Sequence, residues 1–185
     1  TEAGERAGMP KGLIACMTRV TLPGTQELMK HKYVALILAT GGSDMVRAAH
    51  SVGKPAYGVG PGNVPAYVDR SADVAQAAKY IVASKAFDHS VICATEQAVV
   101  ADRPIAAQLE EMMKAEGAYF VDDNIKQILA KNLFVGHLPN PKGVGKSPQQ
   151  LAQQYGFSVP DWARILVVRL NSVGRDEPLS GEKLT

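Results

Sequence analysis

Short unbroken apolar runs alternate with amphipathic stretches over the first third of the chain. "KGLIACMTRV" (11–20) reads as a short buried strand. "VALILAT" (34–40) is continuously apolar, as a strand covered on both faces of a parallel sheet would be. Between them "GTQELMKH" (24–31) predicts a helix. "GGSDMVRAAHSV" (41–52) predicts another, with Val46 and Ala49 on its apolar face and Gly53 as C-cap. "KPAYGVGPGNVP" (54–65) predicts a strand that runs into a Gly/Pro-rich loop. Strand, helix, strand, helix, strand is the pattern of a parallel α/β sheet.

Past the loop the rhythm resumes. Asp73 is placed to cap a helix whose positions Val74, Ala77, Ala78, Ile81 and Val82 form one apolar face. "EQAVVAD" (96–102) predicts a strand and "IAAQLEEMMKAEG" (105–117) a helix closed by glycine. "NIKQILAKNLF" and "SPQQLAQQYGF" predict two more helices, the second capped by Ser147, and "ARILVVRL" (163–170) a strand. A domain boundary is expected near residue 65, giving portions 1–65 and 66–185. The opening Gly/Pro turn and the closing "EPLSGEKLT" read as the edges of a piece cut from a longer protein.

Composition narrows the picture. Hydrophobic residues make up 46% of the 185, enough to bury a core, and aromatics only 6%, so aliphatic residues and alanine must fill it. The net charge of +2, with acids and bases interspersed, points to neither nucleic acid nor a membrane surface as partner. No apolar run approaches the roughly 20 residues that cross a bilayer. Two widely spaced cysteines make no disulfide framework, which fits a reducing, cytoplasmic setting.

Candidate chemistry is sparse. Thr40, Gly41 and Gly42 stand where a buried strand turns into a helix, a place where backbone N–H groups attract an anion, and where glycine also serves a tight turn. "KGVGKS" (142–147) lacks the first glycine of a phosphate loop, because position 140 is Asn, and it follows a loop rather than a strand. His31, His50, His89 and His137 show no ligand spacing, so no metal is expected. No Gly-x-Ser-x-Gly elbow is present. Cys16 sits in the first predicted strand and reads as core filler. Cys93 lies at a helix–strand junction, between Asp88, His89 and Ser90 on one side and Thr95 and Glu96 on the other. Its polar setting fits a nucleophile, and a buried filler remains open on local grounds.

"ILATGG", "GKPAYGVGPGNVPAYVDRSADV", "KAFDHSVICATEQAVV" and "DEPLSGEKL" resemble, in order and spacing, the CoA-acylating aldehyde dehydrogenases, closest to the acetaldehyde dehydrogenase half of bifunctional aldehyde–alcohol dehydrogenases. The resemblance implies an aldehyde dehydrogenase-like α/β fold: the end of a Rossmann-like cofactor domain, then most of a catalytic domain. It implies Cys93 as nucleophile, Thr40, Gly41 and Gly42 along the nicotinamide cofactor, and Gly60 and its neighbours beside the nicotinamide ring. NAD (or NADP) and coenzyme A are the implied cofactors, a short aldehyde the substrate, and a homo-oligomer the implied state of the complete protein.

Two positions separate this chain from relatives. His89-Ser90 stands where the family commonly has Asn-Gly. Gly58 stands where hydrolytic relatives place a glutamate base, so CoA rather than water is the expected acyl acceptor. The alternatives are a hydrolytic aldehyde dehydrogenase and a non-catalytic fragment kept for assembly.

Overall fold

The computed structural model describes residues 2–174 and 176–185. The chain divides into two compact units, Thr1–Gly60 and Pro61–Thr185, five residues before the position expected from the sequence.

The first unit opens with α1 (Glu2–Arg6) and α2 (Leu22–Lys30). The Thr21 side chain accepts from the Gly24 N–H and starts α2. Strands β1 (Ile37–Thr40) and β2 (Ala56–Val59) pair in parallel across α3 (Ser43–His50), with Ile37 opposite Ala56 and Thr40 opposite Val59. This is a βαβ crossover, and its core is small: Met29, Ile37, Ala39 and Ala49. The strand expected over 11–20 is not formed; the segment is turn and bend. A strand is held by its ladder, and the described sheet of this unit contains only β1 and β2. Leu13 and Ile14 are accordingly exposed, and Cys16 is exposed rather than buried.

The second unit starts with a strand that the sequence reading missed, β3 (Val64–Val68), whose proline and flanking glycines read as loop. It pairs in parallel with β4 (Glu96–Ala101) across α4 (Val74–Ala86). The Asp73 side chain accepts from the Gln76 N–H and starts α4, as the sequence predicts. The ladder skips a residue: Val64 faces Glu96, but Pro65 faces Ala98. Pro65 has no N–H to give, and the irregularity leaves Gln97 without a partner in the ladder, its side chain buried.

After β4 come α5 (Arg103–Ala115), β5 (Ala118–Phe120), α6 (Asp123–Asn132), the hairpin β6 (Phe134–Val135) and β7 (Leu138–Pro139), α7 (Pro148–Tyr155) and β8 (Ile165–Val167). β5 and β8 pair in parallel. Helices α4 and α5 pack their apolar faces into one core with Val68, Ala118 and Ile165. A second core joins α6 and α7 through Ile125, Leu129 and Leu151 to Leu179, in the short 3-10 turn Pro178–Ser180. Among the described residues no helix is long and apolar enough to cross a membrane.

Candidate active site

Helix α4 ends at Ala86 and the chain enters a short 3-10 turn, Phe87–Ser90. Three consecutive non-glycine residues there are left-handed: Asp88 (φ 49), His89 (φ 48) and Ser90 (φ 59). Each such L-residue costs about 1–2 kcal/mol in a left-handed helical conformation. A run of three persists only where the surroundings hold it.

The hold is a buried polar cluster centred on Ser90, which is fully buried. Lys85 Nζ, one turn back on α4, donates to Ser90 Oγ at 2.8 Å and to Gln97 Oε1 at 3.1 Å. Ser90 Oγ lies 2.6 Å from Thr95 Oγ1, and Thr95 Oγ1 donates to the Ile92 carbonyl at 3.0 Å. Gln97 Nε2 donates to Ser90 Oγ at 3.3 Å, and Gln97 Oε1 also accepts from the Lys183 N–H at 3.1 Å. The ladder irregularity at Pro65 thus delivers the Gln97 amide to the middle of the cluster. Desolvation pushes Lys85 down to about 7; Lys183 adds to the effect, and Glu96 and Glu182 oppose it. Desolvation likewise lowers Lys183 to about 8. It raises Glu182, against the Gly62 N–H and Lys85.

Above this cluster Cys93 is exposed. The buried-filler reading of Cys93 is excluded by that position. The Cys93 N–H donates to no acceptor among the described residues, while the carbonyl of the same peptide, on Ile92, accepts from both the Thr95 N–H (3.1 Å) and the Thr95 hydroxyl. A Cβ built on Gly62, in the "GVGPGN" loop, would come 3.9 Å from the Cys93 carbonyl oxygen, so this part of the loop lies against the cysteine. The "KGVGKS" segment braces the same turn. A Cβ on Gly145 (φ +67) would meet Val91 at 3.0 Å, the Gly145 N–H donates to the Leu184 carbonyl, and Thr185 Oγ1 donates to the Lys146 carbonyl. Its glycines serve close packing, which accounts for a phosphate-loop spelling without the preceding strand.

Thr40, Gly41, Gly42 and Gly60 belong to the first unit. Thr40 ends β1, and Gly42 is the N-cap of α3 with no side-chain cap. All three of Thr40, Gly41 and Gly42 are exposed, and a Cβ on Gly42 would meet nothing within 4 Å. Neither Gly42 nor Gly60 has a positive φ. Their smallness therefore leaves open space rather than satisfying a strained turn. An uncapped helix start beside open space fits the polar part of a dinucleotide. Gly58 is different. A Cβ there would come 2.4 Å from Val46 Cγ1 and 2.9 Å from His50 Nε2, so the position is packed against α3. Among the described residues no cluster of three or more His, Cys, Asp or Glu could hold a metal.

Sequence reasoning singled out Cys93 but not the buried groups around it. Lys85 escapes notice there, although its spacing from Ile81 and Val82 puts it on the apolar face of α4; Ser90 and Thr95 read only as the polar setting of Cys93, and Gln97 as part of the strand 96–102. A further signal was polar density: "DHSVICATEQ" places six polar side chains around one thiol. The second unit also contains a cavity of about 930 Å³ between the β4 and β8 segments, reached by Lys85, His89, Glu96 and Gln97. Cys93 does not line it.

Residues 1–141 match the sequence profile of the aldehyde dehydrogenase family. The chain is 43% identical to an aldehyde-alcohol dehydrogenase of Streptococcus pneumoniae serotype 4, covering 100% of this chain and 22% of that protein. It superposes on an acetylating aldehyde dehydrogenase from Geobacillus thermoglucosidasius with a TM-score of 0.93 at 49% identity, covering 100% of this chain and 41% of that one. It also superposes on a propionaldehyde dehydrogenase of Rhodopseudomonas palustris with bound CoA and an acylated cysteine, with a TM-score of 0.82 at 33% identity, covering 95% and 40%. The chain thus spans about a fifth of the first relative and two fifths of the two solved structures. Profile, sequence and fold agree over these lengths, and the chain belongs to the aldehyde dehydrogenase family.

Proposed function

We propose that the chain carries the nucleophile and part of the cofactor site of a CoA-acylating aldehyde dehydrogenase that interconverts a short aldehyde, acetaldehyde foremost, and its acyl-CoA. The observation that carries this reading is the exposed Cys93, three residues past a left-handed turn whose Ser90 is held by buried polar groups. An exposed thiol on a rigid turn is what nucleophilic catalysis needs. The acylated cysteine and bound CoA of the Rhodopseudomonas palustris relative support it.

The steps follow from the residues. The Cys93 thiolate attacks the aldehyde carbon and forms a thiohemiacetal, and the free Cys93 N–H is placed to donate to the oxygen that gains charge. A bound nicotinamide, NAD or NADP, supplies the hydride acceptor, with Thr40, Gly41, Gly42 and Gly60 as its contacts. Loss of hydride leaves a thioester on Cys93. CoA then takes the acyl group by thiol–thioester exchange, and the sequence runs in reverse for acyl-CoA reduction. Gly58 offers no carboxylate to deprotonate water, and general-base help is worth about 10²–10⁴-fold. Hydrolysis is therefore slow. The complete protein acts as a homo-oligomer in the cytoplasm, with aldehyde and CoA as its small-molecule partners.

The test is rapid mixing of the full-length enzyme with aldehyde and NAD. One burst of reduced nicotinamide per site is expected without CoA, then slow turnover, then fast turnover once CoA is added. Cys93→Ala removes the burst. Fast steady acid production without CoA would replace this reading with a hydrolytic dehydrogenase, and a burst that survives Cys93→Ala would reject Cys93 as nucleophile.

A further inference from the structure

The hydroxyls beneath Cys93 have a direction. Each has one proton to give. Thr95 gives its proton to the Ile92 carbonyl, so toward Ser90 it can only accept. Ser90 therefore gives its proton to Thr95, and toward Lys85 and Gln97 it too can only accept. Every bond from Lys85 onward then points one way, toward the peptide between Ile92 and Cys93.

We propose that Lys85 is a positioning residue for the nucleophile, driving a one-way hydrogen-bond relay through Ser90 and Thr95 onto the Ile92 carbonyl and so polarising the Ile92–Cys93 peptide. This rests on the reading of Cys93 as nucleophile. Donation to a peptide carbonyl draws charge from its nitrogen and makes the N–H on the other side a stronger donor. That N–H belongs to Cys93 and has no protein acceptor among the described residues. A charged ammonium at the head of the relay strengthens the first bond about twofold over a neutral amine. The relay thus serves two ends: it fixes the left-handed Ser90, and it tunes the donor that meets both the thiolate and the developing oxyanion.

Lys85 also makes the relay sensitive to pH. It titrates near 7 because burial outweighs the surrounding charges. Those charges are Glu96 on β4, and Glu182 and Lys183 on the segment after the 3-10 turn; His89 of the turn lines the same cavity. The ammonium is fully present below pH 7 and is lost as pH rises through it, so the relay is strongest on the acid side.

The test reads Cys93 directly, without turnover. In a Cys16→Ser background Cys93 is the one thiol of this 185-residue chain, and the labelled residue is assigned by peptide mapping. The rate of alkylation by iodoacetamide, divided by the thiolate fraction at each pH, is measured for the parent, Lys85→Met, Thr95→Val and the double variant. The parent is expected to show a break near pH 7. Each single variant loses the break and changes the low-pH rate by about three- to tenfold, and the double variant changes no more than the larger single effect, as members of one relay should. Circular dichroism verifies that each variant is folded; if Lys85→Met is not, Lys85→Gln takes its place in the same cycle. A break that persists in folded Lys85 and Thr95 variants, or single effects that multiply in the double variant, would overturn the relay. Failure of the nucleophile reading shows separately, as turnover that survives Cys93→Ala in the full-length enzyme.

Discussion

Replacing Ser90 by glycine relieves a left-handed strain of about 1–2 kcal/mol and removes a hydroxyl bonded to three partners, Lys85, Thr95 and Gln97. A hydrogen bond to a charged group is worth about 1.5–3 kcal/mol, and each buried partner left unpaired adds its own cost. The hydroxyl wins. Ser90→Gly is expected to destabilise the chain by about 1 kcal/mol, and Ser90→Ala, which keeps the strain and loses the bonds, by about 2–4 kcal/mol. Urea unfolding measures both, and an Ala variant more stable than the Gly variant would mean that the left-handed turn costs nothing. Cys93→Ala, at an exposed position, should stay within about 0.5 kcal/mol of the parent. Cys93 stood out in the sequence because its neighbours are polar and its blocks resemble a family. The sequence reading misplaced Cys16, whose apolar neighbours suggested a strand, because a periodicity cannot show whether a ladder partner exists.

Between elements, Gly58 meets α3 at distances that no side chain tolerates. Gly58→Glu therefore tests packing before it tests a base. Its expected cost is about 1–3 kcal/mol from overpacking against Val46 and His50. A thermal melt of the variant reads that cost, and an unchanged melting temperature would mean that α3 yields freely. Helices α2 to α7 were legible from the sequence to within a few residues at each end, because caps and apolar faces are local: Asp73 and Ser147 cap as their spellings suggest, the latter in a full capping box with Gln150; the five-residue α1, with no buried residue, was not. The strands were less so. β3 contains a proline, and β5 to β7 are two or three residues long, too short for any period to show. The relay itself was not legible, since it links Lys85 of α4 to Ser90, Thr95 and Ile92 by contacts that only the folded turn makes.

For the molecule as a whole, Lys85 and Lys183 set a pH dependence. Both titrate below the ordinary lysine value of 10.5, at about 7 and about 8. Between pH 7 and that value the unfolded chain binds more protons than the folded one, so stability rises with pH across this window. Lys85→Met should flatten the lower part of the rise in denaturation midpoints, and an unchanged slope would place the ammonium in water. Core size sets a second contrast. The first unit buries four core residues, while the second unit holds cores of ten and six. Amides of the first unit should exchange with deuterium well before those of α4 and α5.

The bond from the Lys183 N–H to Gln97 joins residues 86 positions apart, and the Gly145 brace on Val91 comes from more than 50 positions downstream. A ribosome adding about 5–20 residues per second releases Cys93 roughly 5–20 s before Lys183. Through that interval the thiol travels with α4 but without its brace or the far end of its amide network. The cysteine is translated early and acquires its setting late.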